Sequence, residues 1–121
     1  MNYGLIERDY GRWDDMTFEE IEECDPEGYK NWHSDWIDFV IPDGESAAQV
    51  QSRINETIDN ILSAHDSGNI IVVTHLGAAR HILSHLLGLS TEQSWLFTLD
   101  NAKYASVAID NGKAVLTGLN L

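Results

Sequence analysis

The 121-residue chain has only one cysteine, two prolines and seven basic residues, and each shortage excludes a class of protein. Cys24 by itself cannot form an internal disulfide, so the fold must rest on its apolar core, and a reducing compartment is the expected home. Seven Lys and Arg against twenty Asp and Glu give a net charge of −13. A chain so acidic is repelled by nucleic acid and by anionic lipid, and neither is expected as a partner. There is no long uncharged apolar run and no basic start followed by an apolar stretch, so the reading includes no membrane span, no signal peptide and a cytoplasmic location. No repeat, low-complexity tract or Gly/Ser linker interrupts the sequence, and residues 1–121 read as one domain.

What is present has clear local signals. Thr17 with Glu20 three residues later is a capping-box pattern and predicts a short helix from Thr17 to about Cys24. Asp25-Pro26 restarts a helix, with the carboxylate as N-cap and the proline in the first turn. After the break Ile41-Pro42-Asp43-Gly44, Ser46 and Gln49 form a second box. The helix they head repeats Val50, Ile54, Ile58, Ile61 and Leu62 at helical spacing, with Gln51, Glu56, Asp59 and Asn60 assigned to the water side. Ile70-Ile71-Val72-Val73-Thr74 is a continuous β-branched run, the pattern of a strand buried on both faces of a parallel sheet. Gly77 opens a further helix that Gly88 closes, and Ser90 with Gln93 starts a third box. Tyr104 to Ile109, Asn111-Gly112 and Ala114 to Leu119 read as a β-hairpin. Together these elements predict an α/β fold with a mixed sheet.

His75 directly follows the Ile70–Thr74 run and Gly77 begins the next helix. This puts an imidazole where open α/β sheets hold ligands, beside first-turn N–H groups able to bind an anion. A Thr-His-X-Gly turn taken alone is equally well explained by a histidine that caps the helix or fills a crevice. Three motifs in order decide between these: Leu5-Ile6-Glu7-Arg8-Asp9-Tyr10-Gly11-Arg12-Trp13, then Ile41-Pro42-Asp43-Gly44-Glu45-Ser46 with Arg53, then Val72-Val73-Thr74-His75-Leu76-Gly77-Ala78-Ala79-Arg80. From about Leu5 to the C-terminus the chain resembles the histidine phosphatase superfamily, which includes the cofactor-dependent phosphoglycerate mutases and the α-ribazole phosphatases.

The resemblance implies a phosphoglycerate mutase-like three-layer sandwich, here incomplete, and phosphomonoester hydrolysis through a phosphohistidine. It makes Glu7 the acid that protonates the leaving oxygen and His75 the second histidine that steadies the phosphoryl oxygens. Arg8, Tyr10, Leu76 and Gly77 fall in the phosphate- and substrate-binding set, and neither metal nor cofactor is required. A carboxyl beside a charged phosphoryl group can hold a proton to donate, and a histidinium can offset developing negative charge.

The departures matter as much as the match. The family's nucleophile lies in an Arg-His-Gly motif ahead of the position of Leu5, and no Arg-His-Gly occurs in this chain. Arg80-His81 is followed by Ile82 and lies in the helix after His75, so it does not replace that motif. Leu76 stands where the family usually has glycine, and Asp15 replaces another glycine. The expectation is a truncated, catalytically incomplete protein, inactive alone because it lacks a nucleophile. A second expectation is an uncovered apolar edge at Ile70–Thr74, closed by a homodimer or by a partner chain. The rival reading is a non-catalytic oligomeric module that binds a phosphorylated small molecule or a protein.

Other features have plainer explanations. Tyr29, Trp32 and Trp36, with Trp13, are read as packing in preference to a pocket for a ring-bearing substrate. His81 and His85 have chelating spacing but no third ligand, so a solvated face is expected. Asp14, Asp15, Glu19, Glu20, Glu22 and Glu23 are read as a solvated acidic surface. Arg53 is left open between substrate contact and a carboxylate partner.

Overall fold

The computed structural model describes all residues, 1–121. Helices α1 (Phe18–Cys24), α2 (Pro26–Ser34), α3 (Ala47–Ser63) and α4 (Leu76–Leu86) precede strands β1 (Ser106–Asp110) and β2 (Lys113–Gly118). Short 3-10 turns lie at Tyr3–Leu5, Gly11–Trp13 and Glu92–Leu96. No helix is long and apolar enough to cross a membrane.

The predicted caps form and set the helix starts. The Thr17 hydroxyl accepts from Glu20 N–H, and the Asp25 carboxylate accepts from Gly28 N–H. At α3 the Ser46 hydroxyl accepts from Gln49 N–H while the Gln49 side chain accepts from Ser46 N–H, a complete reciprocal box. Gly88, at φ 71°, takes the left-handed conformation that ends α4. The Ser90–Gln93 bonds also form, yet they lead only into the 3-10 turn Glu92–Leu96. Asn111 and Gly112 both have positive φ, 49° and 75°, as a two-residue hairpin turn requires, and β1 pairs antiparallel with β2.

Two cores result. Val50, Ile54 and Ile58 of α3 pack with Ala78 and Ile82 of α4 and with Leu5. Trp13, Ile21 and Ile41 form a smaller cluster, flanked by Met16, Tyr29, Trp32 and Phe39. Only 18 of 121 residues are buried, so a chain of this size has little apolar burial to offset its conformational entropy.

Ile70–Thr74 departs from expectation. It joins no ladder, the sheet consisting of β1 and β2 alone, and it is not buried on two faces. Ile71 is 89% and Val73 92% exposed, whereas Ile70 and Val72 border a groove walled by Ile58, Ile61 and Leu62 of α3 and by Ile82 and Leu86 of α4. The β-branched run has the side chains of an interior strand. Hydrogen-bonding neighbours, however, are a property of the whole sheet and not of the segment. The segment is nevertheless anchored, because the Thr74 hydroxyl donates to the Leu5 carbonyl at 2.6 Å.

Candidate functional site

The segment carrying Glu7 and Arg8 has no regular structure of its own, so distant groups hold it. Arg53 on α3 makes a double contact with Glu45, Nε to Oε1 at 3.1 Å and Nη2 to Oε2 at 3.0 Å. Its Nη1 donates to the carbonyls of Gly4 and Ile6. Glu45 in turn accepts from Asp9 N–H through its carboxylate and from Arg8 Nε through its carbonyl. The Arg53 and Asp9 bonds, with help from Arg8, hold the Glu45 carboxyl below its usual range against the opposing effect of partial burial, which is the largest single influence. The choice left open for Arg53 is thus decided in favour of a carboxylate partner. The adjoining turn is tight: Gly11 has φ 48°, and a Cβ there would meet the Pro42 carbonyl at 2.2 Å.

This scaffold places Glu7 over the N-terminus of α4, where its Oε2 accepts from Gly77 N–H at 3.0 Å and its Oε1 accepts from Arg8 N–H at 3.0 Å. Gly77 permits the approach, since a Cβ at that position would lie 2.4 Å from Glu7 Oε1. Arg8 stands beside it with its guanidinium carbon 5.5 Å from the Tyr10 ring centroid. Burial lowers the Arg8 pKa although Tyr10, Glu45 and Glu7 all pull the other way. Its Nη2 is buried without an acceptor, as is Trp32 Nε1.

Glu7, Arg8, Tyr10 and Gly77 line a cleft of about 570 Å³ together with Phe18, Trp32, Trp36, Trp95, Arg80 and His81. His75 and Leu76 stand at its margin, outside the lining set. His75 is the N-cap of α4; its carbonyl accepts from Ala79 N–H, and its exposed ring makes no hydrogen bond within the chain.

The aromatic stripe divides between two roles. Trp13 is 5% exposed and stacks on Phe39 at 5.4 Å, so it is core. Trp32, stacked on Phe18, and Trp36, edge-on to Trp95, belong to the cleft wall. Packing therefore accounts for only part of the stripe. Arg80 was missed by the sequence reading: its guanidinium lies 4.4 Å from the Trp95 ring centroid, and its Nε donates to the Phe97 carbonyl.

His81 corrects the expectation of a solvated histidine face. It is 8% exposed, and its Nδ1 lies 2.7 Å from the Oε1 of Gln51, itself buried and not on the water side of α3 as expected. Burial pushes the His81 pKa down to about 4, opposed by Glu7 and reinforced by Arg8, Arg53 and Arg80. His85 points elsewhere, its Nε2 2.6 Å from Asp59. The missed signal was the spacing of Gly77 and His81, four residues apart and so on one helix face. The acidic residues from Asp14 to Glu23 are exposed, as read, and Asp15, where glycine was expected, takes a positive φ of 58°.

The site thus combines an open, aromatic-walled cleft, a carboxylate fixed on a helix N-terminus and a Thr-His-X-Gly turn at the start of that helix. The chain belongs to the histidine phosphatase superfamily (branch 1), whose family model matches residues 1–121. Among curated relatives, it is 30% identical over 117 residues to phosphoserine phosphatase 1 of Hydrogenobacter thermophilus, covering 97% of this chain and 56% of that protein. It is 27% identical over 116 residues to the adenosylcobalamin/α-ribazole phosphatase of Escherichia coli, covering 96% of this chain and 57% of the relative. The crystal structure of the α-ribazole phosphatase from Shigella flexneri superposes with a TM-score of 0.92 at 26% identity, over 100% of this chain and 60% of that one. The chain thus spans a little over half the length of these relatives and shares their phosphoglycerate mutase-like α/β fold.

Proposed function

We propose that this chain forms, as one domain, the acid and second-histidine half of a phosphohistidine phosphomonoesterase site. The observation that carries the reading is the Glu7 carboxylate held on Gly77 N–H at the start of α4, beside Arg8 and one residue from the Leu76–His75 turn. In this reading Glu7 protonates the leaving oxygen, His75 steadies the phosphoryl oxygens, and Arg8 and Tyr10 with the backbone at Leu76 and Gly77 hold the phosphorylated small molecule. The sequence of the motifs and the phosphatase relatives support it. No metal or cofactor enters the scheme; the net charge of −13 disfavours nucleic-acid and anionic-membrane partners, and a cytoplasmic location is part of the reading.

A chain of these 121 residues does not turn over phosphomonoesters by itself in this reading. Four of its five histidines hydrogen-bond within the chain: His33 with the Tyr29 carbonyl, His65 with the Ile61 carbonyl, His81 with Gln51 and His85 with Asp59. The reading assigns none of them as the attacking imidazole opposite His75. The exposure of Ile71 and Val73 favours a second element of the reading: a homodimer or a partner chain covers the Ile70–Thr74 edge. A module that only binds a phosphorylated ligand or protein uses the same surfaces.

The test is a p-nitrophenyl phosphate assay alongside calorimetric titration with inorganic phosphate. The expected result is no turnover and measurable phosphate binding that His75→Ala weakens about tenfold, the loss of one charge-assisted hydrogen bond. Turnover that survives His75→Ala unchanged overturns the assignment.

A further inference from the structure

The Gln51–His81 pair fixes more than packing. The Gln51 amide nitrogen donates to Asn55 Oδ1 at 2.7 Å and to the His81 carbonyl at 3.0 Å, which leaves Oε1 as the atom facing His81 Nδ1. An amide oxygen only accepts, so Nδ1 must carry the proton. Burial keeps the ring neutral, its pKa pushed down to about 4. Nε2 therefore holds a free lone pair; it has no partner in the chain, yet it is not among the buried unpartnered atoms, and the residue lines the cleft. A neutral imidazole locked in one tautomer is a directed acceptor.

Its position specifies what it accepts from. Gly77 and His81 are four residues apart on one face of α4, about 6 Å along the axis, and Glu7 sits on Gly77 N–H. A substituent on an ester whose oxygen meets Glu7 thus has to span only about one helical turn along the same cleft wall to meet His81. We infer that His81 Nε2 accepts a hydrogen bond from a hydroxyl or ammonium group on the alcohol portion of the bound phosphomonoester, making His81 a specificity determinant for donor-bearing alcohols. The inference rests on the phosphomonoester reading of the cleft.

Three phosphate esters of similar size test it by calorimetry: glycerol 3-phosphate with hydroxyls, phosphoethanolamine with an ammonium, and propyl phosphate with neither. At least one donor-bearing ester should bind about tenfold more tightly than propyl phosphate, the worth of one hydrogen bond, and which one does so identifies the donor. His81→Phe should erase the preference. Because that substitution leaves Gln51 Oε1 unpaired and risks the fold, nitrogen-15 NMR of the unaltered protein supplies a second reading. His81 should appear as the Nδ1–H tautomer, and its Nε2 resonance should shift with the preferred ester but not with propyl phosphate. Equal affinities for all three esters, or an Nε2–H tautomer, overturn the inference and leave the phosphate reading intact. If neither the esters nor inorganic phosphate binds, the phosphate reading fails, and this inference with it.

Discussion

The α3–α4 interface and the Ile70–Val73 segment are built from the same aliphatic side chains and have opposite fates. Val50 and Ile54 are fully buried and Ile58 is 4% exposed, whereas Ile71 and Val73 are almost entirely bare. The difference is topological. A helix satisfies its own backbone and needs only one apolar face covered, which another helix of the same chain provides. A central strand needs neighbours on both edges and covers on both faces, and here the chain supplies only part of one cover.

The largest expected effect comes from making one substitution on each side of that comparison. Ile54→Ala should destabilise the chain by about 2–4 kcal/mol, the usual cost of emptying a tightly packed site. Ile71→Ala should change stability by less than about 0.5 kcal/mol in the monomer. Denaturant melts of the two variants measure both, and equal losses would mean that the segment is already covered in solution.

A smaller effect belongs to His81. Its folded pKa of about 4 lies below the ordinary value of 6.5, so the unfolded chain takes up the proton first as pH falls. The stability linked to this group is fully present above pH 6.5 and is lost as pH drops toward 4, by about 2 kcal/mol over that window. Melts at stepped pH should show the slope, and His81→Phe should flatten that part of it.

The smallest effect on folding carries the most information about assembly. The double substitution Ile71→Ser with Val73→Ser should leave the melt of the isolated chain within about 0.5 kcal/mol while abolishing self-association, read by light scattering. A parent chain that is a stable monomer at all concentrations would count against the homodimer, and a variant that still associates would place the contact elsewhere.

Much of this arrangement could be read in the sequence because its signals are local. Thr17, Asp25 and Ser46 each satisfy N–H groups within three residues, Gly88 needs only its own φ, and Asn111-Gly112 closes a turn between adjacent strands. Glu7 and Gly77 were assigned to one site by the family resemblance, and in the structure the Glu7 carboxylate accepts from Gly77 N–H. What was illegible depends on partners far along the chain. Gln51 is polar on an amphipathic helix and so was assigned to water, yet a histidine thirty positions away makes its burial affordable. Arg53 offered no clue that it would tie Gly4, Ile6 and Glu45 together. The Ser90 box formed, but too little chain follows it before Phe97 turns inward.

Glu45 does not itself line the cleft, but it is gripped from three directions, by Arg8, by Asp9 and by Arg53. The bend that follows Pro42 therefore acts as a jig for residues 7 to 9, setting their height above α4. A disturbance on that outer bend would reach the carboxylate at the mouth of the helix by moving the rail that carries it, with no change in any group the ligand meets.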